Sequence, residues 1–154
     1  MIKKIIFYLS LIAILPLFTN CTGTSKASEE KSEAAKSFDK SEERGTVSLY
    51  RTGRAVGAAG STQVKVNGQD AGGTGPSTFF KWDLKPGTYT FSAFTAESSK
   101  VVEIDVKAGE QYSIRLDDRM GLSSGRVTLK IVDDSKGKAE VKKCKLLVSA
   151  YTPE

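Results

Sequence analysis

The sequence predicts a mainly β protein, an antiparallel β-sandwich of about seven short strands forming one domain over residues 46–154. Three observations carry that prediction. Apolar residues alternate with polar ones in short runs rich in Val, Ile, Thr and Tyr, the period of half-buried strands. Turn signals separate the runs about every ten residues. A stretch of roughly 110 residues is also long enough to close one core without a disulfide.

Thr46 to Tyr50 opens the series, with Val47 and Leu49 on one face. A loop rich in Gly and Ala, Gly53 to Ser61, leads into the strand Gln63 to Val66. Asn67-Gly68 follows, a pair suited to a two-residue hairpin because both positions tolerate positive φ. Ser77 to Trp82 is the next strand. The turn Leu84-Lys85-Pro86-Gly87 closes it, with Pro and Gly fitting the central positions of a type II turn.

Tyr89, Phe91 and Ala93 then alternate with Thr90 and Ser92, and Val102, Ile104 and Val106 alternate with Glu103, Asp105 and Lys107. Ala108-Gly109 turns the chain into Gln111 to Leu116, where Tyr112, Ile114 and Leu116 share a face. Val127, Leu129 and Ile131 complete the set. Residues 138–146 read equally well as a short C-terminal helix or as a last strand.

Ahead of the domain stand two segments of different character. Met-Ile-Lys-Lys precedes fourteen nearly all apolar residues, Ile5 to Phe18, matching the charged and apolar regions of a secretory signal. The run is short of the about 20 residues a membrane span needs, and Pro16 interrupts it. Leu17-Phe18-Thr19-Asn20-Cys21 resembles a lipobox, the processing site of bacterial lipoproteins. It departs from the commonest form, in which Leu stands at the place of Phe18 and Gly or Ala at that of Asn20. The resemblance implies cleavage between Asn20 and Cys21 and diacylglycerol on the Cys21 sulfur, hence a lipid-anchored protein of the cell envelope. Thr22 after the cysteine favours the outer membrane, facing periplasm or surface. Acyl chains gain about 0.8 kcal/mol per buried methylene, so two or three hold a protein on a bilayer durably.

Residues 21–45 mix Lys26, Lys31, Lys36, Lys40 and Arg44 with six acids and five serines, and Phe38 is their one aromatic. Such a segment buries too little apolar surface to offset its ordering entropy. It therefore reads as a flexible tether spanning about 25–30 Å, with transient helix around Ala34 and Ala35.

Composition excludes much chemistry. There is no histidine, which removes the usual general base and the commonest metal ligand. Without residues 1–20 the net charge falls from +5 to +3, a weak argument for a polyanion, and no nucleic-acid partner is expected. Gly53, Gly57 and Gly60 lack the spacing of a dinucleotide loop, and no Walker pattern occurs. Asp117-Asp118 and Asp133-Asp134 offer carboxylates for a cation or for acid–base work, but both follow strands, where Asp is ordinary turn chemistry. Cys144 is the one thiol besides Cys21, readable as a buried apolar residue or as a free thiol open to intermolecular pairing. Five arginines (Arg51, Arg54, Arg115, Arg119, Arg126) and Lys136, Lys138, Lys142, Lys143 and Lys145 would make a basic face if they converged. Met120-Gly121-Leu122 would make an apolar tip.

Several pieces in order carry a family resemblance: Leu49-Tyr50-Arg51, Val64 to Gly68, Leu84 to Tyr89, Ala108-Gly109 with Gln111-Tyr112, Gly125-Arg126, Val132-Asp133, and Glu140 to Leu146 around Cys144. Together they resemble the bacterial lipoprotein domain known as domain-of-unknown-function family 2846. The stretch Val64 to Thr90 is also similar to the PEGA type of small β-sandwich. The resemblance implies a fold and an envelope address and no known activity. The resulting expectation is a non-catalytic anchored module without cofactor or metal. Its partners would be the membrane, through the lipid, and an envelope protein or cell-wall polymer. The alternative is an envelope hydrolase or accessory factor acting on peptidoglycan or glycans through Asp and Glu.

Overall fold

Two sheets face each other across an apolar interior, and two short helices cover the outer face of the larger one. The computed structural model describes residues 24–53, 60–122 and 125–154. The signal segment, Asn20, Cys21, Arg54 and Gly57 lie outside the described residues.

In chain order the elements are α1 (Glu29–Ala35), β1 (Gly45–Arg51), β2 (Thr62–Val66), β3 (Gln69–Thr74), β4 (Thr78–Leu84) and β5 (Gly87–Phe94). Then come β6 (Ser99–Val106), β7 (Gln111–Arg119), β8 (Arg126–Val132), α2 (Asp134–Val141) and β9 (Lys145–Leu146). One sheet runs β8-β7-β1-β4-β9 and the other β3-β2-β5-β6. The mainly β sandwich is as expected. Besides the seven expected strands the described residues hold β3, which was not expected, and β9, where a helix or a last strand was expected, and the pairing is not wholly antiparallel. β1 lies parallel to β7, and β9 parallel to β4.

The turn residues act where the sequence places them. Asn67 (φ 47°) and Gly68 (φ 78°) join β2 to β3 as a tight hairpin. Asn67 Oδ1 also accepts the Thr90 N–H at 2.8 Å, tying the hairpin to β5. Lys85-Pro86 carries the chain from β4 in one sheet to β5 in the other, so this turn joins the layers rather than two paired strands.

Alternation explains the core. Val47 and Leu49 of β1, Phe80, Trp82 and Leu84 of β4, Phe91 and Ala93 of β5, and Ile114 and Leu116 of β7 all bury between the sheets. Each fully buried large apolar side chain contributes about 1.5–3 kcal/mol over its exposed state. Trp82 stacks on Phe80 with centroids 5.3 Å apart. Ile131 shares a face with Val127 and Leu129 but sits at the far end of edge strand β8 and stays 53% exposed.

The opposite face of β1 and β4 is buried too, which period-2 reasoning does not anticipate. Tyr50 and Phe79 pack there with Val141 and Cys144, beneath Ala35 and Phe38 of the N-terminal segment. Residues 138–146 prove to be both expected things in succession, the end of α2 and then β9. Asp133 caps α2, its side chain accepting the Ser135 N–H at 3.0 Å.

Residues 24–44, expected to be a flexible tether, lie along the domain. Ser28 caps α1, Ser32 is buried, and the Ser32 hydroxyl accepts the Leu146 N–H at 3.1 Å. Lys26 bridges Leu147 in antiparallel fashion beside β9. Polar composition hid this docking because it is made by backbone groups, by polar side chains such as Thr24, Ser32 and Arg44, and by Ala35 and Phe38 rather than by an apolar stripe.

Candidate functional site

The outer face of β7 and β1 carries a line of polar side chains under α2. Arg115 of β7 holds Asp117 through Nε at 2.9 Å and Glu140 of α2 through Nη1 at 3.0 Å. The Tyr50 hydroxyl donates to the other Glu140 oxygen at 2.5 Å. Local structure explains the alignment: residues 115 and 117 share a strand face, and α2 lays Glu140 across them.

Burial pushes the Tyr50 hydroxyl well above the ordinary phenol range, and its bond to Glu140 adds to the effect. Burial works against the Arg115 charge, but the Asp117 hydrogen bond and the two carboxylates more than offset it and hold Arg115 above its usual value.

A cleft of about 190 Å³ opens beside this network, lined by Thr52, Gly53, Ser77, Arg115, Glu140, Lys143 and Cys144. Cys144 forms its floor and is buried, its Sγ facing the carbonyls of Glu140 at 3.5 Å and Arg51 at 3.6 Å. Burial pushes the thiol up to about 11, with the Lys36 charge opposing and Glu140 adding. The cleft offers hydroxyls, one lysine and already paired charges.

Asp118, one residue from Asp117, points the other way, into the sandwich. There it forms an ion pair with Arg51 and accepts the Thr62 hydroxyl at 3.1 Å. Arg51 further donates to the carbonyls of Gly60 at 2.7 Å and Thr74 at 3.1 Å. The Asp117-Asp118 pair is thus split between two faces. Asp133 serves as a helix cap, and Asp134 pairs with Lys138 at 2.7 Å. Among the described residues no group of three or more His, Cys, Asp and Glu is placed to hold a metal ion.

Among the described residues, four of the basic side chains are turned to separate acidic partners. Arg51 and Arg115 turn to buried or half-buried carboxylates, Arg126 reaches Glu97 at 3.2 Å, and Lys145 reaches Glu29 at 3.3 Å. Met120 and Leu122 do form an apolar tip, 82% and 93% exposed. A second groove, about 300 Å³ and polar, lies by the C-terminal segment between Tyr89 and Tyr151, with Asn67, Gln69, Lys85 and Glu154 around it. The sequence reading missed Tyr50, Glu140 and this groove. Tyr50 falls on the polar side of the β1 alternation, with Thr46 and Ser48, and nothing local marks it out from them.

A family model described as protein of unknown function (DUF2846) matches residues 41–128. The chain belongs to that family. The match runs from just before β1 into β8 and so holds most of both sheets, while α2 and Cys144 lie beyond it. An uncharacterised protein of Haemophilus influenzae is 28% identical over 149 residues, covering 96% of this chain and 88% of that protein. That similarity extends past the family match to the N-terminal and C-terminal segments. Among the described residues no helix is long and apolar enough to cross a membrane.

Proposed function

We propose that this member of the DUF2846 family is a non-catalytic, lipid-anchored lipoprotein of the cell envelope, held at the outer membrane and binding or scaffolding another envelope component. The observation that carries the address is Lys3-Lys4, the apolar run Ile5 to Phe18 and Cys21 three positions after it. The pairing of the carboxylates supports a binding role over hydrolysis. Asp117, Asp118 and Glu140 direct their oxygens to Arg115, Arg51 and Tyr50, where an acid–base pair would face a substrate across a cleft.

The surfaces open to a partner are the Met120–Leu122 tip and the groove between Tyr89 and Tyr151. Mass spectrometry of the mature protein tests the address: the N-terminal peptide begins at acyl-bearing Cys21, and an intact leader overturns the reading. Photo-cross-linking in intact cells from positions 120 and 151 tests the rest. A reproducible envelope partner at either position supports it. Hydrolysis of peptidoglycan by the purified domain, lost in Glu140→Gln, would favour the hydrolase alternative.

A further inference from the structure

We propose that the lipidated protein sits flush on the bilayer, with the edge formed by β3 and β9 against the headgroups. This rests on the acylation of Cys21 proposed above. Thr24 is three residues beyond that cysteine and is already fixed to the domain. Its hydroxyl accepts the Gly73 N–H of β3 at 2.6 Å. Beside it the Ser25 carbonyl accepts the Val148 N–H at 2.8 Å, and the Ala27 N–H donates to the Leu146 carbonyl at 2.9 Å.

The fit is close. Gly72, at φ 113°, lies so near Thr24 that a Cβ there would stand 2.6 Å from the threonine oxygen. The Ala150 N–H, in the segment that follows β9, donates to the Ala71 carbonyl of β3 at 3.0 Å and closes the same edge. Residues 24–27 therefore belong to the sandwich edge and leave no slack for a tether.

Reach decides the consequence. Three Cα–Cα steps span at most about 11 Å. The headgroup layer of one leaflet takes about 5–8 Å of that. A lipid-bearing Cys21 thus brings Thr24 to the headgroup surface, and the exposed neighbours Ser25, Lys26 and Val148 with it. An apolar side chain, Val148 (55% exposed), and a cation, Lys26, stand there, at positions opposite Ser25 and Leu147 respectively. The two suit an interface of anionic lipid. The opposite edge, β6 with β8, faces away, since β6 lies three strands from β3, about 14 Å.

The test uses the full lipidated chain, carrying Cys144→Ala, in phosphatidylethanolamine and phosphatidylglycerol vesicles with nitroxide-labelled headgroups. One sample bears a fluorophore at Val148→Cys and another at Glu103→Cys of β6. Quenching should be several-fold stronger at position 148. A Gly/Ser insertion of about twenty residues between Gly23 and Thr24 adds about 25 Å of reach and should remove the contrast. Equal quenching at both positions in the acylated chain, or a contrast untouched by the insertion, overturns the orientation while leaving the anchor intact. An unacylated N-terminal peptide from the same vesicles overturns the anchor reading itself, and the orientation with it.

Discussion

Arg51 and Asp118 form an ion pair inside the sandwich, both side chains 4% exposed, at the end where β1 and β7 run out together. Each extends the inward face of its strand, following Leu49 and Leu116. The pair therefore closes the core at a place where further apolar residues would ordinarily stand. Breaking a buried pair from one side costs about 3–5 kcal/mol, because the remaining charge keeps its desolvation penalty. Asp118→Ala should lose that much in urea unfolding. The double variant Arg51→Met, Asp118→Leu should lose markedly less, since a well-packed apolar pair avoids the penalty. Equal losses in the two variants would show that the pair is not what stabilises this end.

Tyr50 makes alkaline stability depend on one hydroxyl. Its folded value lies above the unfolded value of 10, so the protonated phenol is favoured in the folded state. That contribution is intact below pH 10 and is lost as pH rises through the folded value. The bond to the Glu140 carboxylate is worth about 1.5–3 kcal/mol on the scale of hydrogen bonds to charged groups. Tyr50→Phe should be less stable than the parent by roughly this amount at pH 8, and the gap should narrow above pH 10. A constant gap between pH 8 and 12, followed by chemical denaturation, would exclude the phenol as the titrating group.

Much of the fold is legible in the sequence because period 2 and turn chemistry are local. Val47 with Leu49, Ile104 with Val106, and Asn67-Gly68 each declare themselves. β3 does not, because Gln69-Asp70-Ala71-Gly72-Gly73-Thr74 has neither apolar alternation nor strand propensity. It is a strand because the hairpin delivers it to β2, with a register shift between Val64 and Lys65 at the level of Gly72. The parallel pairing of β1 with β7 is equally hidden, since alternation gives a face and not the direction of a neighbour. Of the candidate site, Asp117, Asp118 and Cys144 were visible as residue types. The contacts that define the site join distant positions, Arg51 with Asp118 and Cys144 and Tyr50 with Glu140, the last pair 90 residues apart, and emerge only from the packing.

Cys144 should be chemically silent in the folded protein. Its thiol is buried and pushed up to about 11, whereas the thiolate is the reactive form. In a Cys21→Ser chain at pH 8, a colorimetric thiol reagent should react very slowly with the folded protein and rapidly with one thiol per chain in urea. Rapid reaction without denaturant would point to an accessible thiol and revive intermolecular pairing. The same shift makes the stability contribution of the neutral thiol intact below pH 9, with loss as pH rises from 9 towards 11.

Gly137 allows α2 to lie against β7. A Cβ on it would stand 2.1 Å from the Ser113 oxygen and 2.2 Å from the Ser113 Cβ, so helix backbone and strand side chain are in direct contact. Two effects then oppose each other in Gly137→Ala. Alanine is favoured in a helix interior by about 1 kcal/mol. Overpacking a filled contact costs about 1–3 kcal/mol. Here the clash involves a strand-bound Cβ that cannot swing aside, so the cost should win and Gly137→Ala should destabilise. Ser113→Gly alone should also destabilise, by about 0.5–1 kcal/mol for a glycine within a strand. Combined, the two changes should be more stable than Gly137→Ala alone, because removing the Ser113 side chain makes room for the new methyl while the helix keeps its better residue. Thermal unfolding of the four proteins closes the cycle, and strictly additive losses would show that the helix is not seated on Ser113.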